Sequence, residues 1–362
     1  MRKGILRFLG ILLYIAVLLI GIEITCQIAY RVTANKWLFL AEEEPHHYLF
    51  KKHPYLVGVP KPGATFTSKN GITFTNNSLG MRGAEIRQTK DEGRVRVVVL
   101  GGSSTYCIGV SDDQTWPYYL EKILGSKYEV INMGVPGYTT VENLIQTALW
   151  LSDISPDICV YYEGWNDMRN MHVKGLKPDY SDFHGRSQYD NLVLYLFKFG
   201  NKSATLRFLR KIVNTFLIKD PDGGYSIEGT PSKFTVEPDK RSLLLYARNL
   251  KLILALCRAQ GIRPIMVPQI INEQRLARDA MEGDKVFFWI PYVKMRDLGA
   301  TMKLYNNEMK QVCAAEGADF VAEVLDEDFD DSCFYDYVHF SKKGNEKFAA
   351  ILADYITKHP TP

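Results

Sequence analysis

From Arg94 onward, short apolar runs alternate with longer amphipathic ones. "VRVVVL" (95–100) is a nearly continuous apolar run, the pattern of a strand covered on both faces. "YEVINMG" (128–134), "DICVYYEG" (157–164), "IRPIMVPQI" (262–270) and "ADFVAEV" (318–324) read as four further strands. Between them, "WPYYLEKIL", "TVENLIQTALWLSDI", "RSLLLYARNLKLILALCRAQG" and "TMKLYNNEMKQVCAAEG" have helical spacing, and "SKKGNEKFAAILADYITKH" closes the chain as a helix. Such alternation predicts an α/β fold around a mostly parallel, five-stranded sheet. Residues 168–240 break the rhythm and read as an insertion. A second insertion, 278–297, contains "FFWIPY", which reads as ordinary packing or as a lid over a site.

Upstream, 31–92 has the turn-rich composition of a connector, with a hairpin predicted in "TSKNGITF" around Asn70 and Gly71. Before it lies "FLGILLYIAVLLIGI" (8–22), interrupted by Glu23 and continued by "ITCQIA". A helix from Phe8 to Ala29 reaches about 33 Å, enough to cross a bilayer, with Glu23 near the far interface. Arg2, Lys3 and Arg7 precede it, which predicts a cytoplasmic N-terminus and a bulk outside the membrane. A cleaved signal peptide is the rival reading, but no small-x-small site is evident. The expected organisation is an anchor (1–30), a connector (31–92) and a catalytic domain (93–362).

Composition adds little to this picture. The chain has 362 residues, 46% of them hydrophobic, ample for a folded core. The net charge of +3 is accounted for by the three N-terminal basic residues, which argues against a dedicated nucleic-acid binder. Six scattered cysteines lack metal-ligand spacing and read as small buried hydrophobes.

Candidate chemistry lies at the strand ends, where open α/β sheets place their sites. After the first strand comes "GGSST", after the second "NMGVPGYTT", after the third "EGWNDM", and before the last helix "YDYVHFSKKGN". "GGSST" has neither dinucleotide nor P-loop spacing, so a phosphate cradle is weakly supported. A serine there is a candidate nucleophile, with turn hydrogen bonding as its ordinary role. Of seven histidines only His339 has an aspartate, Asp336, three residues ahead. That spacing lets a carboxylate reach the imidazole Nδ1 and leaves Nε2 to take a proton from a serine.

These blocks resemble those of the SGNH hydrolases, also called GDSL esterases/lipases. The resemblance covers about residues 94–170 and 245–358. It implies a three-layer α/β/α sandwich of flavodoxin-like type. It implies Ser103 as nucleophile, Asp336 and His339 completing a triad, and an oxyanion hole formed by Ser103, Gly137 and Asn166. "NSLGMRG" (77–83) looks like the lead-in of membrane-anchored members. The usual block I is G-D-S, and here Gly102 stands in place of the aspartate. Ser104 is an alternative nucleophile. The implied reaction needs no metal or cofactor. It is hydrolysis of an O-acyl ester on a cell-surface glycan or lipid. An O-acyltransferase with the same acyl-serine, and a noncatalytic surface-binding module, are the alternatives.

Overall fold

The computed structural model describes residues 2–40, 48–51, 53, 56, 58–87, 89–169, 176–180, 202–216, 240–282, 286–287 and 290–360. The chain divides into two units, Met1–His47 with Arg186–Gly224, and Tyr48–Gly185 with Tyr225–Pro362. Most of the expected insertion, and Phe288 and Trp289 of the lid candidate, lie outside the described residues.

In the first unit, α1 (Arg2–Ala34) is long and apolar enough to cross a membrane, with a mean hydropathy of 2.6 in its most apolar stretch. The second unit holds the sheet: β1 (Val95–Gly101), β2 (Tyr128–Asn132), β3 (Ile158–Tyr162), β4 (Arg263–Val267) and β5 (Asp319–Phe320). All pair in parallel, in the order β5-β4-β3-β1-β2.

Alternate side chains of these strands feed two layers. Val97, Val99, Val160, Tyr162, Ile265 and Val267 pack with α2 (Trp116–Leu124) and α7 (Lys342–Lys358). Val98, Leu100, Cys159, Tyr161 and Met266 pack with α4 (Lys240–Ala259), α5 (Glu273–Met281) and α6 (Leu298–Glu316). Helix α3 (Thr140–Leu149) lies against α4. The fold is thus the α/β/α sandwich expected. Arg96, the polar exception in β1, is buried and donates to Glu129 Oε2 at 2.7 Å and to the carbonyl of Ile154 at 2.6 Å. The six cysteines are free thiols; Cys26 is half-buried and the others are buried.

Two elements are shorter than their sequence pattern. β5 stops at Phe320, and Glu323–Asp326 forms a helical turn, because at the sheet edge only β4 pairs with this segment. The run "TVENLIQTALWLSDI" breaks at Trp150, which ends α3.

The hairpin forms with Thr65–Thr67 against Thr73–Thr75, Phe66 opposite Phe74, and Gly71 at φ 78° in the turn. The segment after it supplies Arg82, whose side chain is almost fully buried. Its Nε donates to Asp112 Oδ1 at 3.1 Å, Nη1 to the carbonyls of Tyr106 and of Cys107 (2.6 Å), and Nη2 to that of Val110 (2.6 Å). Its guanidinium lies 4.7 Å from the ring centres of both Phe74 and Tyr106. One planar fork therefore ties the hairpin to the loop that follows Ser103. Arg82→Ala strands these carbonyls and lowers the free energy of unfolding by about 3–5 kcal/mol. Arg82→Lys recovers little of it, because an ammonium cannot span the same acceptors. Urea unfolding followed by circular dichroism checks both.

Candidate active site

β1 and β3 are neighbours from which the chain leaves in opposite directions, the place where parallel sheets open a crevice. β1 ends at Gly101, where a Cβ would meet the Thr105 side chain and, at 2.5 Å, the Tyr162 carbonyl oxygen. Only glycine lets the strand turn there. Ser103 then opens the single helical turn Ser103–Tyr106, closed by Cys107 in the left-handed region at φ 61°. This turn presents the hydroxyl at the strand's carboxyl end.

The opposing group comes from the loop before α7. Asp336 Oδ1 accepts the backbone N–H groups of Val338 and His339, each at 2.9 Å. That wrap brings Oδ2 to 2.7 Å from His339 Nδ1. His339 Nε2 lies 2.7 Å from Ser103 Oγ, across 236 residues of sequence.

The other two strand ends complete the site. The N–H of Val135 donates to the Gly101 carbonyl at 3.0 Å, fastening the loop after β2 to the end of β1. Gly137, at φ 85°, forms that loop's turn. Asn166, in the helical turn Trp165–Arg169 after β3, is buried and donates from Nδ2 to the Tyr138 carbonyl at 2.7 Å. A Cβ on Gly102 would run into the same Nδ2, so the amide lies beside the backbone that carries Ser103. Neither the Ser103 nor the Gly137 N–H is bonded among the described residues. Ser103, Asn166, Asp336 and His339 are therefore brought together at the carboxyl end of β1, and Gly137 lies in the loop fastened to that end.

The GDSL-like Lipase/Acylhydrolase family matches residues 99–347, well over half of the chain. The chain belongs to this family. It is a hydrolase of the esterase and acylhydrolase type. Solved structures similar to it include a GDSL-like lipase from Bacteroides thetaiotaomicron, at 14% identity over 76% of this chain and 93% of that one, with a TM-score of 0.42. A lipase/acylhydrolase from Enterococcus faecalis is 14% identical over 74% and 98%, at a TM-score of 0.43. A catalytic mutant of an acetylxylan esterase from Geobacillus stearothermophilus is 16% identical over 74% and 96%, at 0.42. No curated protein matches the sequence.

In this hydrolase, Ser104 turns inward. It is buried, and its Oγ donates to the Val338 carbonyl at 3.3 Å, whereas Ser103 faces the imidazole. Trp165 packs in the core beside Met168. Burial works to raise the Asp336 carboxyl. Hydrogen bonds from the His339 ring and backbone and from the Val338 N–H, with the charge of the imidazole, outweigh it and hold Asp336 below the usual carboxylate range.

Beneath the site the hydrolase buries three carboxylates, Glu142, Glu163 and Asp167. Glu142 closes a capping box with Thr139 at the start of α3. Asn143 donates to Glu163. Asp167 accepts from the Thr140 N–H at 3.1 Å and from the Thr140 hydroxyl at 2.6 Å. Its immediate neighbour is Asn166, so this carboxylate fixes the asparagine turn to the loop carrying Gly137. Burial pushes Asp167 up to about 7, with the nearby Glu142 carboxylate adding to it. Burial and the charge of Asp167 also push Glu163 up.

Folding therefore raises the proton affinity of Asp167 from the ordinary aspartate value of about 3.9. Between about pH 4 and 7 the folded chain holds this proton and the unfolded chain loses it. The contribution of Asp167 is complete below pH 4 and is lost as the pH rises to 7. Asp167→Asn keeps the acceptor without the titration. Urea unfolding at pH 4.5 and 7.5 will show the parent losing on the order of 3 kcal/mol more than the variant over that interval.

Proposed function

We propose that this hydrolase is a membrane-anchored serine esterase that removes O-acyl groups, acetyl among them, from a cell-surface glycan or lipid. The observation that carries the reading is the unbroken contact from Asp336 to His339 to Ser103, with 2.7 Å at each step. As Ser103 Oγ attacks the ester carbonyl carbon, its proton passes to His339 Nε2. Asp336 orients the ring through Nδ1 and stabilises the imidazolium. The N–H groups of Ser103 and Gly137 and the Asn166 amide take the oxyanion. The imidazolium then protonates the departing alcohol as the carbon–oxygen bond breaks. Water, deprotonated by the same nitrogen, then attacks the acyl-serine carbon; the bond to Ser103 Oγ breaks, the proton returns to that oxygen, and the free acid leaves.

Placement follows from α1. With Arg2, Lys3 and Arg7 ahead of its apolar stretch, the N-terminus lies in the cytoplasm and the catalytic domain outside. The proposed organisation is an anchor (1–30), a connector (31–92) and a catalytic domain (93–362).

A fluorophosphonate probe tests the nucleophile. Mass spectrometry of the labelled protein will place the adduct on Ser103, and His339→Ala will remove the labelling. A protein that hydrolyses p-nitrophenyl acetate but carries the adduct elsewhere, or nowhere, sinks the assignment. Free acetate released with no acceptor added identifies water as the second nucleophile.

A further inference from the structure

The first unit contains a charge that an anchor has no use for. Glu23 interrupts the apolar face of α1, about 30 Å along the helix from Lys3, one hydrocarbon thickness. Its carboxylate is engaged by distant parts of the chain. Ser203 Oγ donates to Oε2 at 2.7 Å, and the N–H groups of Ala204 and Thr205 donate to Oε1 at 2.8 Å and Oε2 at 3.1 Å. Gln27, one turn on, reaches the Lys202 carbonyl at 2.7 Å. Glu23 thus caps the helix Ala204–Phe216 at its positive end. Arg207 lies 5.3 Å over the ring of Tyr30, a second tie to α1.

That second helix, "ATLRFLRKIVNTF", has a divided surface. Helical spacing puts Leu206, Phe208, Leu209, Ile212, Val213 and Phe216 on one arc, and Arg207, Arg210, Lys211 and Asn214 on the other. Leu206, Phe208, Leu209 and Ile212 are exposed, so these four are not spent on packing. An uncovered stripe of this kind, bordered by three basic residues and fixed where the apolar stretch of α1 ends, matches a phospholipid interface in both hydrophobicity and charge.

We infer that Ala204–Phe216 is an interfacial helix. Glu23 docks it at the outer end of the anchor, its apolar stripe enters the acyl boundary, and its basic arc meets lipid phosphates. The inference rests on reading α1 as a membrane span.

The test uses the full chain in phosphatidylcholine–phosphatidylglycerol vesicles, with Phe208→Trp as reporter and the parent as baseline. Acyl-chain bromines near the headgroups will quench about half of the added emission, and bromines near the bilayer centre far less. Glu23→Ala will abolish that quenching while the chain stays in the vesicles through alkaline carbonate. An added tryptophan untouched by bromine in carbonate-resistant protein overturns the inference. So does one shielded from iodide yet unquenched, which marks a protein partner, and so does quenching unaffected by Glu23→Ala. Release of the parent by carbonate overturns the span itself, an outcome separate from the others.

Discussion

Ser103→Ala and His339→Ala will each lower kcat for p-nitrophenyl acetate by about 10⁶-fold, and the double variant will be scarcely slower than either. The reason is that each group works only through the other. Without the imidazole 2.7 Å away, the Ser103 hydroxyl keeps its proton and is a weak nucleophile. Without the hydroxyl, the imidazole has no attached nucleophile to activate. Stability should move little by comparison, because Ser103→Ala removes one hydrogen bond and His339→Ala two from half-buried side chains, each bond worth about 1 kcal/mol. A Tm close to that of the parent, with turnover lost, separates a chemical effect from a folding one. Ser103→Ala with unchanged turnover would exclude this hydroxyl as the nucleophile. Ser104 offers no substitute, since its own hydroxyl is buried and aimed at the Val338 carbonyl.

The parts of this architecture legible in the sequence are those that local physics dictates. A run such as Val97–Leu100 admits few fates besides a strand with both faces covered, and both faces are covered here. The glycines that follow it, and the aspartate three residues before His339, act within a single turn, so their spacing carries their meaning. Chain order and strand ends then place Ser103, Gly137, Asn166 and His339 together without knowledge of any distance. What stays hidden depends on partners far away. Arg82 looks like any surface arginine until the loop after Ser103 and the rings of Phe74 and Tyr106 close around it. Glu142 and Glu163 look like solvated acids, because nothing in their immediate neighbours announces that α3 and α4 will seal them from water. Glu23 reads as an interruption of an apolar helix because its donors come from residues 203–205.

Gly102→Ala, a change of one methyl group, will cost about 10²–10³-fold in kcat, as much as Asn166→Ala. Gly102 has a negative φ, −84°, so no left-handed backbone reserves the position for glycine. The obstacle is the space its methyl would enter. That space is held by the Asn166 amide nitrogen, which cannot swing aside freely because it is buried and donates to the Tyr138 carbonyl. Insertion of a methyl forces the amide off the position from which it would meet an oxyanion, and loss of one such donor costs about 2.7–4 kcal/mol of transition-state stabilisation. Hence the usual family aspartate at this position, bulkier still, is expected to be no better tolerated than alanine. Since Gly102→Ala and Asn166→Ala disable the same donor, their effects will not add, and the double variant will match the slower single one. Steady-state kinetics on the four proteins decides the matter. A fully active Gly102→Ala would mean that the glycine serves only to turn the chain. Multiplying losses in the double variant would mean that the methyl acts elsewhere than on Asn166.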